Sequence, residues 1–377
     1  MKLPESTLAC VYQGSEHADA TSISRQSFGD LLRIEQRRLP ELGLGKVLLR
    51  VESAPVNPSD ELYIRGMYGV KPKAGDVPGF EGCGTVVAAN CGPYGWWLKG
   101  QRVSFGNQDG NGSWAQYVVV SAFSCIPISR QLPIEVAATL IVNPMTAIGL
   151  LERARRHGTR AVVFNAAGSA LGRLLIPLAK QQGIEFIGLV RREETKEQVL
   201  SLGADVVFNT NAPGFLKQLH EVCRQRQARV LLDAVAGQQT AALMNQMPDE
   251  SLAVVYGKLE EESLGSDVAV SSVSTDADAL VFRKQRVEGY WLSHELHGFN
   301  GVFTPLIRAR RISQMFRRGV LTAGQFVETP LENLVRQLDS PERPGKLLYR
   351  ADLPTNRHPL KHHLHNRVSG ESRVANS

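Results

Sequence analysis

Two arginines, Arg191 and Arg192, stand about 20 residues after a turn of small side chains, Asn165-Ala166-Ala167-Gly168-Ser169-Ala170-Leu171-Gly172. Such a turn can bind an anion. Small side chains let the backbone approach a pyrophosphate, and a helix opening behind the turn adds free N–H groups and a partial positive charge. The turn is not a full G-x-G-x-x-G, because Ala166 or Ala167 stands where a glycine is expected. A plain strand–helix turn would also use glycines, for backbone reasons alone. The arginines narrow the choice. Sites for NAD end their second strand in Asp or Glu, which holds the ribose 2′-hydroxyl, whereas a guanidinium suits a 2′-phosphate. NADPH is therefore the expected cofactor; the alternative is a strand that ends with two arginines in solvent.

The elements needed to hold this turn are legible around it. Residues 161–164 form a short apolar run of the kind buried in parallel sheets. Leu171, Leu174, Leu175 and Leu178 follow at helical spacing, then Gly183 and a second apolar run at 186–190. That is one strand–turn–helix–strand crossover. Pro177 lies inside its helix and should cost about 3 kcal/mol unless a kink accommodates it. Strand and helix candidates then alternate: 206–208, a helix at 215–226, 230–234, a helix from Thr240, 252–256 and 287–292. Alternation of this kind predicts a doubly wound parallel sheet, with the ligand outside the carboxyl ends of its strands.

The flanking sequence has another texture. Residues 7–130 read as β-rich, with strands at 8–12, 46–54, 84–89, 102–105 and 114–120, frequent Gly and Pro between them, and no helical pattern. Residues 133–140 and 143–155 have helical spacing and lead into the crossover. Residues 301–323 read as an arginine-rich amphipathic helix with a solvated basic face, and Leu306, Ile307, Ile312, Met315 and Phe316 on its apolar side. A short helix and a strand at 346–349 are expected to rejoin the first domain. From Pro354 the chain is polar and aperiodic, which predicts disorder; His358, His362, His363 and His365 there form no expected native metal site.

Composition excludes several classes. The chain has 377 residues, enough for two domains. It has no apolar run long enough to cross a membrane and no apolar signal core near Glu5, so a cytoplasmic protein with no membrane partner is expected. Five scattered cysteines fit a reducing compartment. Half of the formal charge of +6 lies in residues 354–377, so the body is only weakly basic and no nucleic-acid partner is expected.

Four segments, Asn57-Pro58-Ser59-Asp60, Arg65-Gly66-Met67-Tyr68-Gly69, Pro78-Gly79-Phe80-Glu81-Gly82 and Gly112-Ser113-Trp114-Ala115-Gln116-Tyr117, resemble in order and spacing the catalytic domain of the medium-chain dehydrogenase/reductases. The resemblance covers roughly residues 7–350. It implies an α/β protein in which a GroES-like β-barrel catalytic domain is interrupted by a Rossmann doubly wound parallel sheet, with the active site in the cleft between them. The expected boundaries are 1–130 for the first part of the catalytic domain, 131–295 for the NADPH-binding domain, 296–353 for the return, and 354–377 for the tail. Zinc-dependent members carry Cys and His ligands where this chain has Asn57, Ser59 and Phe80, and their four-cysteine lobe is missing, so no metal is expected.

Among zinc-free members the chain is similar to the mitochondrial-type 2-enoyl thioester reductases. The turn itself, Val142-Asn143-Pro144-Met145-Thr146-Ala147, Glu288-Gly289-Tyr290-Trp291-Leu292-Ser293 and Arg191 all side with that branch. The resemblance implies NADPH-dependent reduction of the C=C bond of a 2-enoyl thioester, with Tyr68 as the catalytic proton donor; quinone-oxidoreductase relatives share this tyrosine. It further implies that Gly168, Ser169, Ala170, Leu171 and Gly172 cradle the pyrophosphate, and that Arg191 and Arg192 take the 2′-phosphate. Asn143 would contact the nicotinamide or orient Tyr68, Tyr256 and Gly257 would line the nicotinamide ribose, and Tyr290, Trp291 and Leu292 would edge the nicotinamide and acyl pocket. Lys346 would approach the cofactor from the last strand. A homodimer acting on a small-molecule substrate is implied. The alternatives are an NADPH:quinone or enone oxidoreductase on the same scaffold and a nucleotide-binding relative without catalysis.

Overall fold

The structure, a computed structural model, describes residues 3–14, 26–259, 272–296, 303–341, 343 and 345–354. The polar tail and its four histidines lie outside the described residues. Among the described residues no helix is long and apolar enough to cross a membrane.

The N-terminal part is built from β1 (Ser6–Tyr12), β2 (Leu32–Arg38), β3 (Lys46–Pro55), β4 (Glu81–Asn90), β5 (Arg102–Gly106), β6 (Tyr117–Ser121) and β7 (Cys125–Pro127). β1 and β2 form an antiparallel pair, and the others belong to one sheet in which β3 pairs with both β4 and β6. Between them lie Trp114, Phe105, Leu49 and Ile64, all withdrawn from water. Trp114 is tolerated there because its indole N–H donates to the Pro55 carbonyl, at 3.1 Å.

Several elements here differ from the sequence reading. β2 and β7 are additional strands; β2 is mostly charged (LRIEQRR), which hides its alternation. The strand expected from 114 starts at Tyr117, with Ala115 joined to Ala9 only by an isolated bridge. Short helices occur where no helical pattern was expected, at Phe28–Leu31, Pro58–Ile64 and Gly92–Leu98. Pro58–Ile64 is too short for a repeat of apolar positions; its start is written instead in Asn57-Pro58, with proline at the first turn and Asp60 accepting from the Asn57 N–H at 2.7 Å.

A long helix, Val142–His157, then leads into the second sheet, formed by β8 (Ala161–Phe164), β9 (Glu185–Val190), β10 (Val206–Asn209), β11 (Ala228–Asp233), β12 (Leu252–Val255) and β13 (Arg286–Gly289). All are parallel, in the order β10-β9-β8-β11-β12-β13. Strand order reverses between β8 and β11, the topological switch point of a Rossmann fold. β8 is fully buried, as its apolar run requires. β13 stops at Gly289, before the end expected from its apolar run, so Tyr290 and Trp291 emerge at its carboxyl end.

The crossover helix Ala170–Gln181 continues through Pro177. Pro177 is half-buried, and Arg173, whose carbonyl it deprives of a donor, is exposed. The lost hydrogen bond therefore falls on the solvent side, where water can replace it.

β14 (Phe326–Thr329) and β15 (Lys346–Arg350) return to the first sheet, with β15 antiparallel to β3. The helix Phe303–Arg317 is present, but its faces differ from those expected. Ile307 is 67% exposed, while Ile312, Met315 and Ala309 are buried. Arg308 is buried too, its guanidinium 2.6 Å from Glu152 of the helix Val142–His157, so the basic face is not wholly solvated. The interior demands of this helix are met by a neighbour distant in sequence, which periodicity alone cannot register.

Candidate functional site

A cavity of about 950 Å³ opens between the barrel and the carboxyl ends of the parallel strands. It brings together Tyr68, Asn143, Ser169, Ala170, Leu171, Tyr256, Gly257, Tyr290, Trp291 and Leu292 of the expected site. Gly168, Gly172, Arg191, Arg192 and Lys346 do not line it.

The turn after β8 is organised by its own side chains. Ser169 caps the crossover helix, accepting from the Gly172 N–H at 3.1 Å. The N–H groups of Ala170 and Leu171 open that helix and have no acceptor within it, which is the arrangement an anion needs. A side chain at Gly172 would place its Cβ 2.3 Å from the Ala167 carbonyl oxygen. Glycine here lets helix and strand close up. Asn165 has a different task from its neighbours. It is buried and bridges the switch point, donating to Asp233 Oδ1 at 2.6 Å and accepting from the Ala234 N–H at 2.9 Å. Asp233 is in turn held by Thr240 Oγ1 and the N–H groups of Val235 and Ala236. These two residues fix the ends of β8 and β11, between which the crevice lies. Arg191 and Arg192 stand exposed past the end of β9, and among the described residues neither makes an ion pair.

On the opposite wall, the Trp291 indole N–H donates to Tyr68 Oη at 2.8 Å, with the two rings edge to face at 5.9 Å. The other side of Tyr68 rests on Phe80, ring centroids 5.1 Å apart. Trp291 in turn meets His294, and Ser293 donates to Gln108 at 2.7 Å. Burial raises the Tyr68 pKa above the usual phenol value; the contacts from Trp291 and Gln108 oppose that, and the charge of Asp60 adds to it. Tyr290 borders the cavity but is chiefly a packing residue, its ring under the Arg153 guanidinium at 4.9 Å and against Gly149. Tyr256 stacks on Phe164, in planes 6° from parallel.

Lys346 lies beneath the cavity. Its ammonium donates to Asn57 Oδ1 at 2.5 Å, and Asn57 Nδ2 donates to Glu81 Oε1 at 3.0 Å. Glu81 Oε2 accepts from the N–H groups of Ile141 and Val142, at 3.1 and 2.9 Å. Asp60 is also buried and accepts from the Phe80 N–H at 2.9 Å. Burial raises the Glu81 pKa and lowers that of Lys346, each shift opposed by the other's charge. Asp60 is pushed up to about 7, by burial first. The resemblance assigned no role to Asp60, Phe80 or Glu81, whose signal was only their presence in the quoted segments, nor to Gln108, which lies outside them.

Residues 43–130 match the family model described as Alcohol dehydrogenase GroES-like domain, and residues 170–307 match Zinc-binding dehydrogenase. A solved structure of a Mesorhizobium loti protein named as an NADPH:quinone reductase is 32% identical, with a TM-score of 0.81, over 93% of this chain and 100% of that one. The mitochondrial enoyl-[acyl-carrier-protein] reductase of Bos taurus is 27% identical over 90% of this chain and 87% of its own length. The enoyl thioester reductase of Candida tropicalis, at 20% identity and a TM-score of 0.73 over 92% of this chain and 99% of its own, shares the fold. A Rossmann sheet set against a GroES-like barrel, with a cleft at the switch point, defines a two-domain oxidoreductase scaffold. The chain belongs to the medium-chain dehydrogenase/reductase superfamily.

Zinc chemistry is common in that superfamily, and the residues here do not fit the metal. Among the described residues no group of three or more His, Cys, Asp or Glu could hold an ion. Asn57, at a position where zinc members present a ligand, is already committed to the Lys346 cation and to Glu81, and Phe80 offers no donor.

Proposed function

We propose that the protein reduces the C=C bond of a 2-enoyl thioester. It is an NADPH-dependent oxidoreductase, and NADPH supplies the hydride, which goes to the β-carbon. The turn Gly168-Ser169-Ala170-Leu171 would present helix N–H groups to a pyrophosphate, and the exposed Arg191 and Arg192 past the end of β9 would supply guanidinium groups to a 2′-phosphate. Asn143, Tyr256, Gly257 and Leu292 line the intervening cavity. As electron density moves to the α-carbon and thioester oxygen, the protonated Tyr68 phenol delivers a proton to the α-carbon and recovers one from solvent. The observation that carries this reading is the hydrogen bond from Trp291 to Tyr68 inside the cleft, which fixes the phenol at the cavity wall with its oxygen as acceptor.

The names of the relatives support two acceptors. The mitochondrial enoyl reductases favour an enoyl thioester, and the greater identity to the Mesorhizobium loti protein favours a quinone or enone as the second reading. Loss of NADPH absorbance with crotonyl-CoA and longer enoyl-CoA thioesters, set beside a quinone and enone panel, separates them. Turnover of the thioesters at the higher kcat/KM is expected; turnover of quinones alone would reverse the assignment.

A further inference from the structure

We propose that Glu81 is a positioning residue that sets the barrel carrying Tyr68 against the helix carrying Asn143. The inference rests on the reductase reading above only in requiring hydride transfer. Glu81 opens β4 and is 1% exposed, yet both of its carboxylate oxygens are engaged. One oxygen takes the Ile141 and Val142 N–H groups, at the start of the helix Val142–His157, and the other takes the Asn57 amide. Through Asn57 the same carboxylate reaches Lys346, at the start of β15. One buried side chain thus joins three segments of the barrel to the first turn of the long helix.

What lies next to each contact gives the bracket its meaning. Val142 immediately precedes Asn143, which faces the cavity. Phe80 immediately precedes Glu81; its N–H is held by Asp60 and its ring supports Tyr68. The proton donor and the expected nicotinamide contact are therefore each one step from the same carboxylate. A buried charge is a costly way to join two domains, and apolar packing would hold them as firmly. A carboxylate accepting three N–H groups is directional, however, and it fixes the angle and spacing that hydride and proton transfer need.

Glu81→Gln keeps the size of the side chain but replaces one acceptor oxygen with a donor facing Asn57 and removes the charge opposite Lys346. On whichever acceptor the wild type reduces best, kcat should fall by up to about 100-fold while the KM for NADPH changes little. The primary isotope effect with NADPH deuterated at the transferred position should rise, because hydride transfer becomes rate-limiting. A purely structural role would lower the melting temperature and leave the isotope effect alone. If kcat and the isotope effect both match the wild type, the proposal is overturned, whatever the melting temperature. Should Glu81→Gln not fold, Asn57→Ser breaks the chain at its middle while keeping a helix-capping side chain, and the same two readouts decide. A wild type that reduces quinones but no enoyl thioester counts against the substrate proposed above and leaves this test in place.

Discussion

Tyr68 already has a hydrogen-bond donor, the Trp291 indole, and this defines what it can give away. Its oxygen accepts from a fixed partner, and burial keeps it protonated beyond the usual phenol range. Tyr68→Phe should lower kcat by about 10²- to 10⁴-fold with NADPH affinity nearly unchanged, measured by steady-state kinetics and cofactor titration. Wild-type turnover in that variant would remove Tyr68 from the mechanism. Asp60 supplies a second prediction at this scale. Its folded pKa is raised to about 7, by burial and then by the nearby Glu81 charge, against the opposing Asn57 and Phe80 N–H groups and Lys346. The folded state thus holds this proton more tightly than the unfolded chain does. Stability from Asp60 is present below the ordinary carboxylate pKa and is lost as pH rises through about 7. Urea midpoints at pH 5.5 and 8 should show a larger alkaline loss in the wild type than in Asp60→Asn; equal losses would show that Asp60 does not titrate in this window. Tyr68 was legible from its segment, Arg65-Gly66-Met67-Tyr68-Gly69. Asp60 was not, because apart from the Asn57 N–H its environment comes from residues 20 and more positions away.

At the scale of elements, the turn after β8 explains why one glycine in it is exchangeable and another is not. A Cβ on Gly168 would meet the Thr195 methyl at 2.4 Å, the end of a side chain that can rotate. A Cβ on Gly172 would meet the Ala167 backbone at 2.3 Å, which cannot move without parting helix from strand. Gly172→Ala should therefore cost roughly 2 kcal/mol and weaken NADPH binding, whereas Gly168→Ala should cost less than half of that. Denaturant unfolding of the two variants checks the order; a Gly168 variant as unstable as the Gly172 variant would refute it. The crossover and the alternation after it were readable because each apolar run is local. β2, the helix Pro58–Ile64 and the end of β13 were not, since charge, shortness and the short helix Leu292–Leu296 that follows Gly289 obscure the repeats.

Across the whole molecule, the groups expected to bind cofactor and to donate the proton come from separate parts of the chain and meet in the cleft. Cofactor choice is a property of this scale, because Arg191 and Arg192 lie beyond the cavity that Asn143, Ser169, Tyr256 and Gly257 line. A ligand that binds only the folded state raises stability by about 2.7 kcal/mol at 100 times its Kd. At equal concentrations NADPH should therefore raise the melting temperature of the wild type more than NADH does, and Arg191→Ala with Arg192→Ala should abolish the difference. If the double variant loses both shifts equally, the arginines do not read the 2′-phosphate.

The sequence by itself determined the local units: the small-residue turn, the parallel crossover, the alternating half of the chain, and the segments that mark the superfamily. Each is written in contiguous residues, where spacing reports directly on backbone geometry. Only the tertiary structure decided that Asn165 ties β8 to β11, that Arg308 is buried against Glu152, and that Lys346 turns toward Asn57 and Glu81. Those roles depend on partners tens to hundreds of residues away, and burial, which sets their charge and their cost, exists only once the chain has folded.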